Sequence, residues 1–422
     1  GRFLDALDQL DLTDDTIVML MSDNGASQEG GPFGVMHEMK FFNFLIETPD
    51  EAVERIDDIG GPHSHANYPW GWAQAGNTPF KWYKQNTHEG GVHVPLIVHW
   101  PARIAAGGEL RDQFHHVNDV VPTLYELLGV SAPESYRGVD QLPVSGTSMA
   151  YTLDDATAPT RKHVQYFEMM GHRGIYADGW KAVTRHDFGS SFDDDRWELY
   201  HLPTDRSECH DLAAEQPERV AEMIDLWWAE AESQGVLPLD DRTIELFGAR
   251  FRENSPHRPD RHYTYFPPMT PLPAQTAPAL GGRSWDMAAT IERAIGQAGV
   301  LYATGTENSG FSLFVDDDRL VFDYNCFGDH HVVRSDRPVP TGESAVGVQL
   351  RRTGRGGVAT VVIDGQPCGS VELPFVMQVI SSIGPSVGYD HGSQVSPAYT
   401  GPNPFQGHLE RVDIQLVQRA DP

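Results

Sequence analysis

The hydrophobic pattern changes its period once along this chain, near Trp285, and that change limits the possible folds more than any other feature. Beyond it, apolar residues recur in short alternating runs at residues 287–291, 310–315, 320–324, 346–350, 358–363 and 412–416. Turn signals such as Asp316-Asp317-Asp318 and Asp364-Gly365 separate the runs. Short strands at regular spacing, without helical stretches between them, predict an antiparallel β-sandwich over 284–422. Ahead of the change, helical spacings alternate with compact β-branched runs, which predicts an α/β region over 1–250. Residues 251–283 are rich in Pro, Arg and Thr and read as a linker or ordered crossing.

The α/β region opens without an initiator Met. Phe3, Leu4, Leu7 and Leu10 fall at helical spacing, as in the last turns of a helix entered midway. The run at 16–21 then suits a buried strand of a parallel sheet, whose partners are expected in part upstream of residue 1. Directly after it stands Ser22-Asp23-Asn24-Gly25-Ala26. In open α/β sheets ligands gather at the carboxyl ends of strands. Asp23 and Asn24 place a carboxylate and an amide oxygen there, donors that hard divalent cations take. The same residues also make a strong Asx-turn signal, and two donors alone do not hold a metal.

Charge limits the partners. The chain carries 31 basic and 60 acidic residues, a formal net charge of −29. That balance argues against nucleic acid and anionic membrane surfaces, and no apolar run is long enough for a membrane-spanning helix. An anionic substrate would need local positive charge at its site. Only five residues are lysines, Lys40, Lys81, Lys84, Lys162 and Lys181. Two of them fall in one segment, Lys81-Trp82-Tyr83-Lys84-Gln85-Asn86-Thr87-His88-Glu89-Gly90-Gly91, which reads as a loop and a Gly-Gly turn before another buried strand. A lysine beside a bound metal can hold a sulfate oxygen or an oxyanion leaving group; a solvated loop lysine is the plainer reading. Cys209, Cys326 and Cys368 are too far apart for a metal motif and too few for a disulfide framework, so buried free thiols are expected.

Taken together, these segments resemble the type I sulfatases (arylsulfatases) of the alkaline phosphatase superfamily. The resemblance rests on Ser22-Asp23-Asn24-Gly25-Ala26 and on Lys84 followed by Thr87 and Glu89-Gly90-Gly91. It continues through His116-Val117-Asn118-Asp119-Val120-Val121-Pro122-Thr123, Gly179-Trp180-Lys181 and Trp197-Glu198-Leu199-Tyr200-His201-Leu202, in family order over about 200 residues. It implies that residues 1–250 are the C-terminal part of a sulfatase catalytic domain. The sandwich is similar to the concanavalin-like jelly roll appended in one bacterial arylsulfatase subgroup.

By the same resemblance, Asp23 and Asn24 correspond to the second pair of Ca2+ ligands. Lys84 corresponds to the catalytic lysine that contacts the substrate sulfate. Lys81 has no fixed family role, the His116 segment is a helix start, and Lys181 is a partly buried strand lysine. The family nucleophile is a formylglycine made from a Cys or Ser in a Cys/Ser-x-Pro/Ala-x-Arg motif, and this sequence contains no such motif. The implied activity is therefore sulfate-ester hydrolysis with Ca2+ and an upstream formylglycine, on a sulfate-ester small molecule or a sulfated glycan. This chain alone is expected to be inactive and to bind Ca2+ weakly at most. Phosphonate monoester or phosphodiester hydrolysis on the same scaffold is the nearest alternative, and a non-catalytic glycan-binding role for the sandwich is another. The compartment stays open between bacterial cytoplasm and periplasm. His93 departs from the family pattern, which has Arg two residues after Glu-Gly-Gly, so an adjusted local fold is expected there.

Overall fold

The computed structural model describes residues 1–104, 107–242 and 261–417. They fall into two compact units, one of residues 1–27 and 72–243, the other of residues 28–71 and 244–422.

The first unit opens with α1 (Arg2–Gln9) and leads into β1 (Val18–Met21). β1 pairs with β2 (Leu96–His99), Val18 opposite His99 and Met21 opposite Leu96. This corrects the expectation of buried strands in a parallel sheet: the ladder is antiparallel and has two strands. Leu20 is 64% exposed and Ile97 59%, and among the described residues no further strand pairs with β1 or β2. Next comes α2 (Val120–Leu128), closed by Gly129 in the left-handed region.

A four-stranded antiparallel sheet follows: β3 (Val164–Met169), β4 (His172–Ala177), β5 (Trp180–Thr184) and β6 (Trp197–His201), in that order. The first two turns are Met170-Gly171 and Asp178-Gly179, each with positive φ at both residues, which matches the twist of tight hairpins. One face of the sheet buries Ile175, Ala182 and Leu199 against α3 (Pro217–Ser233). Met223, Trp227 and Ala231 recur every four residues on α3 and are all buried, so one helix face makes the contact. Pro217 starts α3 where its missing N–H leaves no helix bond unmade.

The second unit is the expected sandwich. β7 (His262–Tyr265), β8 (Ser284–Arg293), β9 (Gly299–Thr306), β10 (Ser309–Asp316), β11 (Arg319–Cys326) and β12 (Asp329–Pro338) come first. β13 (Gly342–Thr353), β14 (Gly356–Ile363), β15 (Gln366–Leu373), β16 (Pro385–Val387) and β17 (His408–Val417) complete it. One sheet has the order β15-β14-β13-β8-β17-β7 and the other β12-β11-β10-β9-β16. Burial alternates along β8, and Trp285, Met287 and Ile291 meet Leu313, Phe322 and Tyr324 of the other sheet in one core. Trp285 and Tyr324 are core residues, and Phe405 packs against that core half-buried.

Two features run across the expected boundaries. Within the stretch read as a linker, β7 is an edge strand paired with β17, and Tyr263 is buried; residues 251–260 lie outside the described residues. Residues 28–71 group with the sandwich although they interrupt the α/β sequence. Met39, on the short helix Glu38–Phe42, is buried in the sandwich core. Asn43 is buried too: its Oδ1 accepts from the amides of Gln378 (2.6 Å) and Val379 (3.2 Å), and its Nδ2 donates to Val379 O (2.8 Å). Among the cysteines, Cys326 and Cys368 are buried, whereas Cys209 is exposed, against expectation. Among the described residues no helix is long and apolar enough to cross a membrane.

Candidate active site

The site grows from the end of β1. The chain leaves the strand at Ser22, whose hydroxyl donates to Asn24 O at 2.9 Å and tightens the turn. Gly25 then passes so close to the second loop that a Cβ would stand 1.7 Å from Gly90 O. Close packing within the second loop explains Glu-Gly-Gly: a Cβ on Gly90 would meet Trp82 O at 2.0 Å, and one on Gly91 would meet Asn86 O at 1.9 Å.

Backbone bonds use this closeness. Gly25 N donates to Gly91 O (3.1 Å) and Lys84 N to Ala26 O (3.0 Å). Asn77 completes the join, accepting from Ala26 N (2.9 Å) and donating to Gly90 O (2.7 Å) and Trp82 O (3.0 Å). Asp23, Asn24 and Lys84 thereby line one broad concavity of about 2020 Å³. Asp23 is exposed, while Asn24 and Lys84 are half-buried.

The single helical turn Glu89–Val92 anchors the second loop from below. Glu89 N donates to Glu208 Oε2 (2.8 Å), Glu89 Oε1 accepts from Lys181 Nζ (2.7 Å), and Lys181 lies 3.3 Å from Glu208 Oε1. Burial alone would raise the Glu89 pKa, but the Lys181 charge and the bonds from His93 and Lys181 outweigh it and hold it at about 2. Lys181 is fully buried rather than partly so; burial opposes its charge, and the two carboxylates reverse that and raise its pKa. His93, which stands where the family pattern has Arg, pairs with Glu89: its Nδ1 lies 2.8 Å from Glu89 Oε2, and its ring stacks on Phe80 at 4.4 Å.

The His116 segment is a helix start, as expected, and its acid does more than cap. Asp119, fully buried, accepts from His116 N (2.9 Å), Thr147 N (2.7 Å) and Lys162 Nζ (2.8 Å), and lies 3.2 Å from His115 Nδ1. Burial would raise its pKa, but these bonds bring it down to about 2. Sequence reasoning missed Asn77, Glu208 and Lys162 as members of this scaffold. A signal existed only for Lys162, as one of five lysines.

Two family models match the chain: Sulfatase over residues 1–130, and N-sulphoglucosamine sulphohydrolase, C-terminal, over residues 79–229. An uncharacterized sulfatase of Schizosaccharomyces pombe is 30% identical over 253 residues, 59% of this chain and 44% of the relative. An arylsulfatase of Klebsiella aerogenes is 25% identical over 176 residues, 40% of this chain and 34% of that enzyme. A solved structure from a Bacteroides thetaiotaomicron glycosaminoglycan locus, BT33336S-sulf, gives a TM-score of 0.35 at 20% identity, covering 54% of this chain and 41% of that one. The α/β unit, with its paired loops, is of the sulfatase type. Over residues 1–229 the chain belongs to the sulfatase family. It spans less than half the length of these two curated relatives, 44% and 34%.

Proposed function

We propose that the first unit serves sulfate-ester hydrolysis, with Asp23 and Asn24 as Ca2+ ligands and Lys84 as the cation that holds the substrate sulfate. The observation that carries this reading is the backbone join of the two loops, Gly25 to Gly91 and Lys84 to Ala26. It fixes the loops' separation whatever the side-chain conformations, with all three residues on the wall of one concavity.

The donors suit Ca2+ in kind: one carboxylate and one amide oxygen, at the end of a strand. They are short in number, because Ca2+ takes roughly six to eight oxygens. Among the described residues no group of three or more His, Cys, Asp or Glu is arranged to hold a metal, so this reading requires further ligands besides these two. When bound, Ca2+ would supply Lewis-acid polarisation of a sulfate oxygen. Lys84 would offer ammonium donors to another sulfate oxygen, and in a chain of net charge −29 it supplies the local positive charge an anion needs. Glu89, Lys181 and Glu208 hold the loop that carries it. The nucleophile, a formylglycine in this reading, has no source motif among the 422 residues. Substrates in this reading are sulfate-ester small molecules or sulfated glycans.

The test is turnover of an aryl sulfate and of phenylphosphonate by the gene's full product. Aryl sulfate should be preferred, a Ca2+ chelator should abolish turnover, and Asp23→Ala or Lys84→Ala should lower kcat/KM by about 100-fold or more. Undiminished turnover in Lys84→Ala would overturn the assignment of Lys84. A preference for phenylphosphonate would move the protein to phosphonate hydrolysis.

A further inference from the structure

Lys81 and His88 bracket Lys84 in the loop, and both end on one atom of β6. Lys81 Nζ lies 2.8 Å and His88 Nε2 3.1 Å from Glu198 Oε2. The Tyr200 hydroxyl donates to the same oxygen, and Lys81 also reaches that hydroxyl at 2.9 Å. Glu198 and Tyr200 stand two apart on the strand and so share a face. His88 is fully buried and its Nδ1 has no partner, so its ring proton serves at Nε2, toward the carboxylate. Glu198, Lys81, His88 and Tyr200 do not line the concavity that Lys84 lines.

The loop between these two ties is strained. Trp82 has φ 64° and Gln85 φ 72°, left-handed conformations that large side chains rarely adopt. Such residues persist where their surroundings over-determine them. Trp82 is held by Gln74 Oε1 at its amide (3.0 Å), by Asn77 Nδ2 at its carbonyl (3.0 Å), and by the Arg185 guanidinium 4.0 Å from its ring centre. Gln85 lies next to Lys84, between the two residues that Glu198 grips.

We infer that Glu198 is a positioning residue: by tying Lys81 and His88 to β6 it keeps the strained loop in the form that presents Lys84 to the concavity. The inference rests on the reading of Lys84 as the sulfate-binding cation. It gives Lys81 a role as a clamp outside the chemistry, and it gives the Glu of Trp-Glu-Leu-Tyr a purpose beyond sheet formation.

Two experiments test it. Amide hydrogen exchange on this 422-residue chain reads the loop without any turnover. Glu198→Ala should speed exchange at Asn86, Gly90 and Gly91 by about tenfold or more while β3–β5 stay protected; unchanged exchange overturns the inference. In the gene's full product, a double-mutant cycle on aryl sulfate separates positioning from general damage. Glu198→Ala should lower kcat/KM about tenfold when Lys84 is present and leave it unchanged in the Lys84→Ala background, and Glu198→Gln, which keeps an acceptor oxygen, should recover part of the loss. Equal losses in both backgrounds overturn the positioning role while leaving the function of Lys84 intact. A Lys84→Ala enzyme as active as the parent overturns the assignment of Lys84 as the sulfate-binding cation, and this inference with it.

Discussion

Gly25 donates its amide to the carbonyl of Gly91 across 3.1 Å, and the two loops that carry Asp23, Asn24 and Lys84 meet at that bond. Gly25 can come this close because it has no side chain. Gly25→Ala would put a methyl 1.7 Å from Gly90 O, a backbone atom that cannot swing aside. The loops must part, at a cost of about 1–3 kcal/mol in stability. Urea unfolding of the variant measures it. An unchanged midpoint would mean the join tolerates the methyl.

Asn77 makes the second tie, with three bonds from one amide side chain. Asn77→Ala should leave Ala26 N, Trp82 O and Gly90 O without these partners and destabilise the first unit by about 1–3 kcal/mol. Asn77→Asp keeps the acceptor for Ala26 N and loses the two donated bonds, so it should fall no closer to the parent than half the alanine loss. Denaturation midpoints of the two variants order them.

Acid should weaken the first unit through Asp119 and Glu89. Both have folded pKa values of about 2, below the ordinary 3.8 and 4.5. A depressed carboxylate pKa contributes stability that is fully present above the unfolded value and is lost as pH falls through the folded value. The loss should therefore run from about pH 4.5 down to about pH 2. Asp119→Asn should flatten the slope in that window. Asp119→Ala should cost about 3–5 kcal/mol at neutral pH, because it strands the buried Lys162 ammonium. Unfolding free energies measured across pH 2–6 check both.

These residues also mark how far the sequence could be read. Alternation located six strands of the sandwich, because period two reports which side of a strand is covered. The motif residues Asp23, Asn24 and Lys84 were legible as a set because chain order and spacing are local properties. Partners were not legible. Nothing near Lys181 announces that Glu208 lies across from it, and nothing near Lys81 announces Glu198. The apolar run at 16–21 suits a buried strand of a parallel sheet yet sits in a two-stranded antiparallel ladder, since apolar content says that a surface suits burial and not what pairs with it. Residues 28–71 illustrate the same limit: Met39 lies in the sandwich core, and Asn43 bonds Gln378, 335 residues further along the chain.

Asn43 therefore carries its own prediction. Its buried amide makes bonds to Gln378 N, Val379 N and Val379 O that no neighbour replaces. Asn43→Ala should destabilise the second unit by about 2–3 kcal/mol. Hydrogen exchange should rise in residues 28–71 and around Gln378 together. A rise confined to residues 28–71 would show that the sandwich does not depend on that excursion.

Calcium titration addresses the metal reading on this chain directly. Asp23 and Asn24 offer two oxygens, and an ion that takes six to eight would fill the rest of its shell with water. Binding that gives up few waters is weak, so calorimetry should find a dissociation constant no tighter than about 10⁻⁴ M. Asp23→Ala should remove the charged donor and abolish the heat, whereas Asn24→Ala should only weaken it, because a carboxylate contributes charge and an amide does not. Lys84→Ala should leave Ca2+ affinity the same or slightly improved, since a nearby ammonium opposes a cation. Tight stoichiometric binding that survives Asp23→Ala would place the metal elsewhere in the chain and remove the ground for reading β1 as the strand that carries it.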